Sequence, residues 1–281
     1  MIQIDNLAFS YGSVPVLKNI TTNLEAGRIY GLLGENGVGK TTLLTLLCGL
    51  KKPQAGRITT DGEAPYDRLP SLLEKQYYLP DEVVPVPMRA REWALETGKF
   101  WPNYSQEKFL TILREFETDP LQKMTKMSAG QLKKTYVSLA LATGCKYLFM
   151  DEPTNGLDIP SKAQFRSAVM KYTAEDSTIV ISTHQVRDLE NIIDPIIILD
   201  RQDVLLNASL EDITRRFYFD YGTTLHPDAL YCEQVPGGFI QVYPNTTGAE
   251  SKVNVEALFN AVHAHKAETK AMFNAKQEAA S

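Results

Sequence analysis

Gly34-Glu35-Asn36-Gly37-Val38-Gly39-Lys40-Thr41 decides the fold of this chain. The octet fits GxxxxGK[ST]; an apolar run at 28–33 reads as a strand before it, and a helical pattern at 40–50 follows. Strand, glycine turn and helix in that order form a phosphate-binding loop. The glycines let the backbone curl until successive N–H groups converge on one anion, and the helix start adds the positive end of its dipole. Within this frame Lys40 reaches the β and γ phosphates and Thr41 offers its hydroxyl to Mg2+. The candidate nucleotide contacts are therefore Gly34, Glu35, Asn36, Gly37, Val38, Gly39, Lys40, Thr41 and Thr42.

Working outward, further strand-like runs occur at 146–150, 178–182 and 195–199, with helical patterns at 128–143 and 161–173. This alternation predicts an α/β fold with a mostly parallel sheet. Between the first two core helices the texture changes. A proline-rich entry, Val83-Val84-Pro85-Val86-Pro87-Met88, leads into helical patterns at 89–99 and 105–117, where Phe109, Ile112, Leu113 and Phe116 share one face. An inserted helical subdomain over about 82–134 is expected. Past residue 207, aromatic runs at 217–221, 229–235 and 238–244 are separated by Gly and Pro, and a helical pattern spans 255–277. The reading is a main α/β domain over 1–205 and a small α+β extension over 206–281.

Composition narrows the function classes. The chain has 281 residues, 43% apolar and 22% charged, an ordinary globular profile with enough length for a sizeable core. Lys plus Arg number 29 against 34 acids, and the net charge of −5 supplies no basic field for nucleic acid. Direct nucleic-acid binding is not expected. Apolar runs fall short of the ~18 residues a membrane-spanning helix needs. The start, MIQIDNLAFS, lacks the basic and apolar regions of a secretory signal, which points to the cytoplasm. Cys48, Cys145 and Cys232 show no CxxC spacing and are expected to be buried thiols.

A second chemical element is the apolar run Tyr147-Leu148-Phe149-Met150 ending in Asp151-Glu152. Alone, two acids at a strand end are an ordinary turn feature. Beside a phosphate loop, one carboxylate is needed to hold the Mg2+ shell and another to orient water. Asp151 takes the metal role and Glu152 the general-base role.

Pro153-Thr154-Asn155-Gly156-Leu157-Asp158 follows those acids, Met127-Ser128-Ala129-Gly130-Gln131 opens the preceding helix, and His184 follows the run at 178–182. In this order the motifs resemble the ATP-binding subunit of an ABC transporter, over residues 1–205. The resemblance implies a P-loop NTPase core of ABC type with an N-terminal antiparallel β portion. It also implies ATP hydrolysis with Mg2+, and a head-to-tail dimer with a second copy or a homologous ATPase. Ser128, Ala129, Gly130 and Gln131 match the signature motif that meets the γ phosphate held by the other subunit, with Ala129 replacing a glycine. Tyr11 matches the aromatic residue that stacks on adenine, His184 the switch histidine that assists Glu152, and Asp158 the D-loop residue that communicates across the dimer. Asp81, in Tyr78-Leu79-Pro80-Asp81, stands where many members carry glutamine; a carboxylate still binds Mg2+ or its water but donates no hydrogen bond.

His226, His263 and His265 match no motif and are expected on the surface of the extension. Phe100-Trp101-Pro102-Asn103-Tyr104 and the extension resemble ABC-2 type ATPases, which implies export through a separate transmembrane permease and a peripheral position on the cytoplasmic face. The rival is a soluble ABC ATPase acting on a protein partner, as in iron–sulfur cluster assembly.

Overall fold

The computed structural model describes residues 1–200 and 203–274. Strand β1 (Ile2–Tyr11) pairs antiparallel with β2 (Val14–Leu24) and β4 (Ala55–Thr60), in the order β2-β1-β4. Alternation builds this sheet: Ile2, Ile4, Leu17, Ile20 and Leu24 point inward while their neighbours face water.

The main sheet comprises β3 (Ile29–Leu33), β5 (Gln76–Leu79), β6 (Tyr147–Asp151), β7 (Thr178–Thr183), β8 (Ile196–Asp200) and β9 (Asp203–Ala208). Its order is β5-β6-β7-β3-β8-β9, parallel from β5 to β8, with β9 as an antiparallel edge. Both faces are covered, which is why these strands read as unbroken apolar runs. On one face α1 (Lys40–Leu47) packs Leu43, Leu44 and Leu47 with Tyr147, Phe149 and the N-terminal sheet. α2 (Pro70–Leu73) is a single short turn leading into β5.

The other face carries a larger core. Helices α3 (Ala90–Gly98) and α4 (Gln106–Glu115) form the inserted subdomain, and α5 (Ala129–Ala142) and α6 (Ile159–Tyr172) return the chain to the sheet. Phe109, Leu113, Phe116, Leu139, Met150 and Ile179 belong to one continuous buried cluster. That cluster reaches the C-terminal segment through Phe217 and Leu258. There α7 (Leu210–Arg216) precedes β10 (Phe217–Gly222), β11 (Tyr231–Val235) and β12 (Gly238–Pro244), an antiparallel sheet ordered β10-β12-β11. Helices α8 (Val255–Ala264) and α9 (Lys266–Asn274) follow.

Several expectations need correction. α1 stops at Leu47 rather than residue 50, because Gly49 turns left-handed at φ 72 where any Cβ would lie 2.1 Å from the carbonyl oxygen of Pro65. The pattern at 255–277 is two helices, not one: His265, at φ −123 and ψ 50, breaks the ladder, and the expected end at Gln277 lies outside the described residues. The main sheet runs on to Ala208, past the expected boundary at 205, because β9 pairs with β8. Cys232 is exposed, since β11 is a sheet edge whose central residues face solvent, while Cys48 and Cys145 are buried. Nor are the extension's histidines simply on its surface. His226 stacks on Tyr243 at 3.8 Å, and His263 is half-buried against Phe259, which lowers its pKa through desolvation.

Candidate functional site

Parallel strands deliver their C-terminal ends to one rim, and the ends of β3, β6 and β7 carry the phosphate loop, Asp151-Glu152 and His184. The loop has room only for glycine at two points. A Cβ on Gly34 would fall 2.7 Å from both the carbonyl oxygen of Leu199 and Val38 Cγ1. Gly39 sits at φ 112, where a Cβ would meet Val16 Cγ1 at 2.9 Å. Gly39 is also the N-cap of α1, and no side chain caps that helix start. A helix start of this kind favours an anion at its first-turn N–H groups.

Lys40 is 7% exposed. Its Nζ donates to the carbonyl oxygens of Gly34 (2.7 Å) and Glu35 (3.1 Å) and lies 4.0 Å from Glu152 Oε1. Burial pulls the ammonium below the ordinary lysine range, while Glu152 and Asp151 oppose that pull. Thr41 Oγ1 donates to Asp151 Oδ2 at 2.6 Å, and Ser182 Oγ donates to Oδ1 of the same carboxylate at 2.5 Å. Tyr78 Oη adds a longer bond of 3.4 Å to Oδ2. Asp151 is thus fixed by three hydroxyls.

Glu152 adopts a left-handed backbone, φ 44, uncommon for a residue with a Cβ and costing on the order of 1 kcal/mol. Its N–H is held by the carbonyl oxygen of Ser182 at 3.1 Å, and its Oε1 lies 2.8 Å from His184 Nδ1. Asn36, Lys40, Thr41, Asp81, Asp151, Glu152 and His184 line one cavity of about 540 Å³, with Tyr11 at its side.

Tyr11 ends β1, is 49% exposed, and holds its hydroxyl 3.3 Å from Thr42 Oγ1. Lys51 Nζ stands 4.9 Å from the ring centroid, and Phe9 meets the ring edge-on. A base stacked on this ring gains about 1 to 3 kcal/mol with little selectivity. Tyr11→Ala is expected to weaken ATP and GTP alike by roughly 5- to 150-fold, checked by equilibrium binding. Unchanged affinity for both would remove Tyr11 from the base site.

Gly37, Gly39 and Thr42 also line this cavity, whereas the expected contacts at the starts of α5 and α6 do not. Ser128 and Gln131 form a reciprocal capping box on α5, and Asp158 caps α6 by accepting from the N–H of Ser161 at 3.0 Å. Gly130 faces Gly156, its added Cβ meeting that carbonyl oxygen at 3.6 Å. Ser128 and Ala129 are exposed.

Asp81 lines the cavity, with partners the motifs did not announce. Asn155 Nδ2 donates to Asp81 Oδ1 at 3.2 Å, and Lys133 Nζ lies 3.5 Å from the same oxygen. Sequence reading missed Tyr78, Lys133, Asn155 and Ser182. Lys133 had a readable signal, a lysine placed directly after Leu132 on the apolar side of α5.

ATP and Mg2+ fit what is here. The loop is a cradle that Cβ atoms would fill, and Thr41 and Asp151 present hard oxygens side by side. Among the described residues no cluster of three His, Cys, Asp or Glu side chains is placed to cage a metal.

A family model for the ABC transporter matches residues 17–155. An uncharacterized ABC transporter ATP-binding protein of Methanocaldococcus jannaschii is 28% identical over 249 residues, covering 83% of this chain and 88% of that protein. A lantibiotic transport ATP-binding protein of Streptococcus pyogenes is 28% identical over 203 residues (69% and 84%), and a cobalt import ATP-binding protein of Salmonella typhi is 26% identical over 222 (74% and 81%). In fold, the chain is similar to the ATP-binding subunit of an ABC transporter with TM-score 0.70 at 24% identity, covering 76% of this chain and 92% of that one.

Proposed function

Because this chain carries the ATP-binding domain of the ABC transporter family, we propose that it powers export through a separate membrane permease, from the cytoplasmic face. The chain is an ABC-type ATPase and a transporter ATP-binding subunit. One observation carries the proposed chemistry: the 2.8 Å contact of Glu152 with His184, beside Lys40 and the Thr41–Asp151 pair.

Lys40 Nζ exchanges its two carbonyl partners for β and γ phosphate oxygens, replacing neutral acceptors with charged ones. Thr41 and Asp151 would hold Mg2+, which when bound supplies charge neutralisation across those oxygens. Glu152 Oε1 accepts a proton from the water that attacks the γ phosphorus as the bond to the β-phosphate oxygen breaks, leaving ADP and phosphate. His184 holds the Glu152 carboxylate through its Nδ1.

The second half of each site is assigned to a second copy. Ser128 and Gly130 lie at the exposed start of α5, outside the cavity of their own chain, where a helix N-terminus favours an anion. A head-to-tail dimer would carry them to the partner's γ phosphate. ATP then supplies charge that neither half-site satisfies alone, closing the dimer, and hydrolysis reopens it.

For the permease, the support is a groove of about 550 Å³ between core and helical subdomain, lined by Leu73, Tyr77, Trp93, Phe100, Trp101 and Tyr136. Phe100 is 68% exposed at its rim. Such a groove suits an apolar helix face from the partner. No helix among the described residues is long and apolar enough to cross a membrane.

The test is a search beside the gene for a reading frame with about six apolar segments of ~20 residues, followed by co-expression of its product with this chain. Co-purification in detergent and a changed ATPase rate are expected, and a soluble partner in its place would overturn the transporter role. ATP-dependent accumulation in inside-out vesicles supports export, whereas release from preloaded ones would reverse the direction.

A further inference from the structure

The Asp81 carboxylate stands where the family resemblance expects an uncharged amide, and it adds a negative group to a cavity already holding Asp151 and Glu152. That cavity must also receive a polyanion. Uncompensated, a third carboxylate there repels the phosphates and its neighbours alike.

The compensation comes from α5. Lys133 stands five residues after Ser128, and its side chain is 5% exposed. Its Nζ donates to the carbonyl oxygen of Asp81 at 2.5 Å and to that of Glu152 at 3.3 Å, and stands 3.5 Å from Asp81 Oδ1. The free edge of Oδ1 accepts from Asn155, three residues past Glu152. One buried ammonium therefore joins the segment after β5, the signature helix and the backbone of the general base. Nothing in a helix's own needs puts a lysine here, since α5 buries Leu132, Val137 and Leu139 around it. A buried cation is retained only where partners offset its lost hydration, and these partners all belong to the catalytic segments.

We infer that Lys133 is a positioning residue of the ATPase site: it supplies the charge that allows a carboxylate at residue 81 and holds Asp81 in register with Glu152. This deepens the ATPase reading above and rests on it. Lys133 is not among the residues lining the cavity; it acts through the two residues it holds. The same ammonium gives α5, the segment after β5 and the backbone of Glu152 a shared contact point.

The test compares wild type, Lys133→Met, Asp81→Asn and the double variant D81N/K133M, by ATPase kinetics, binding of a fluorescent ATP analogue, and thermal melting without nucleotide. Each single change strands one partner of a pair whose lysine is buried and whose carboxylate is 40% exposed, whereas the double change removes both charges. Lys133→Met is expected to lower kcat about 10- to 100-fold with KM for ATP and analogue affinity within about 3-fold. D81N/K133M is expected to recover at least about tenfold in kcat over the worse single variant and to melt above both. A merely structural lysine would move melting without that split or that rescue.

Wild-type kcat in Lys133→Met overturns the inference, as does a double variant that loses the product of the two single losses. If Lys133→Met fails to fold, Asp81→Asn against the double variant decides the matter: kcat in the double variant at or above that of Asp81→Asn supports the inference, and a further loss of about tenfold or more overturns it. Failure of the ATPase reading shows separately, as absent hydrolysis in wild type.

Discussion

Glu152→Gln is expected to cut ATP turnover at least 100-fold while leaving ATP binding intact. Glutamine preserves the volume and the left-handed backbone demand at this position but has no lone pair basic enough to take a proton from water. A positioned general base contributes typically 10²- to 10⁴-fold, and no other carboxylate here combines contact with His184 and proximity to Lys40. Asp151 is engaged by Thr41, Ser182 and Tyr78, and Asp81 by Lys133 and Asn155. Binding survives because the loop glycines and Lys40 are untouched, and losing a negative charge beside the phosphates favours the anion. ATP-bound dimer should therefore accumulate, seen by size-exclusion chromatography with light scattering, while phosphate release nearly stops. Wild-type turnover in this variant would remove Glu152 from the base role.

The second large effect is on affinity. Lys40→Met is expected to weaken ATP binding on the order of 100-fold, as the loss of charge-assisted contacts totalling about 3 kcal/mol. Methionine fills the same buried channel with a neutral chain, so the fold should stand: melting without nucleotide is expected within a few degrees of wild type. Those two readouts separate a lost phosphate contact from a lost structure. Equal ATP affinity by calorimetry would mean that the backbone N–H groups alone hold the phosphates.

Different parts of the site were legible to different degrees, and the physical reason is range. The loop at 34–41 could be read because its conformation is dictated locally, by glycines at positions such as Gly39 that a Cβ would block. Core strands were legible because double burial writes itself as an unbroken apolar run. Ser182 and Lys133 were not, because their importance lies in partners 31 and 52 residues away in sequence. No local pattern encodes that a serine at the end of β7 will meet the carboxylate at the end of β6; the parallel register alone brings Asp151 opposite Ser182. In the extension, periodicity continued through His265 and predicted one helix, but the turn there lets α9 fold back along β9, where Lys266 and Lys270 pair with Asp200 and Asp203. Tertiary pairing overrode helix propensity.

The uncapped start of α1 has a consequence outside catalysis. Donors that no side chain satisfies are satisfied by whatever anion the loop binds, which makes nucleotide a member of the fold by mass action. At a hundred times its dissociation constant, a ligand that binds only the native state adds about 2.7 kcal/mol to stability. The melting temperature is therefore expected to rise across an ATP titration in wild type and to rise far less in Lys40→Met. Complementation by Lys40→Met and Glu152→Gln should be compared per molecule present, since the first loses the protection that the second keeps.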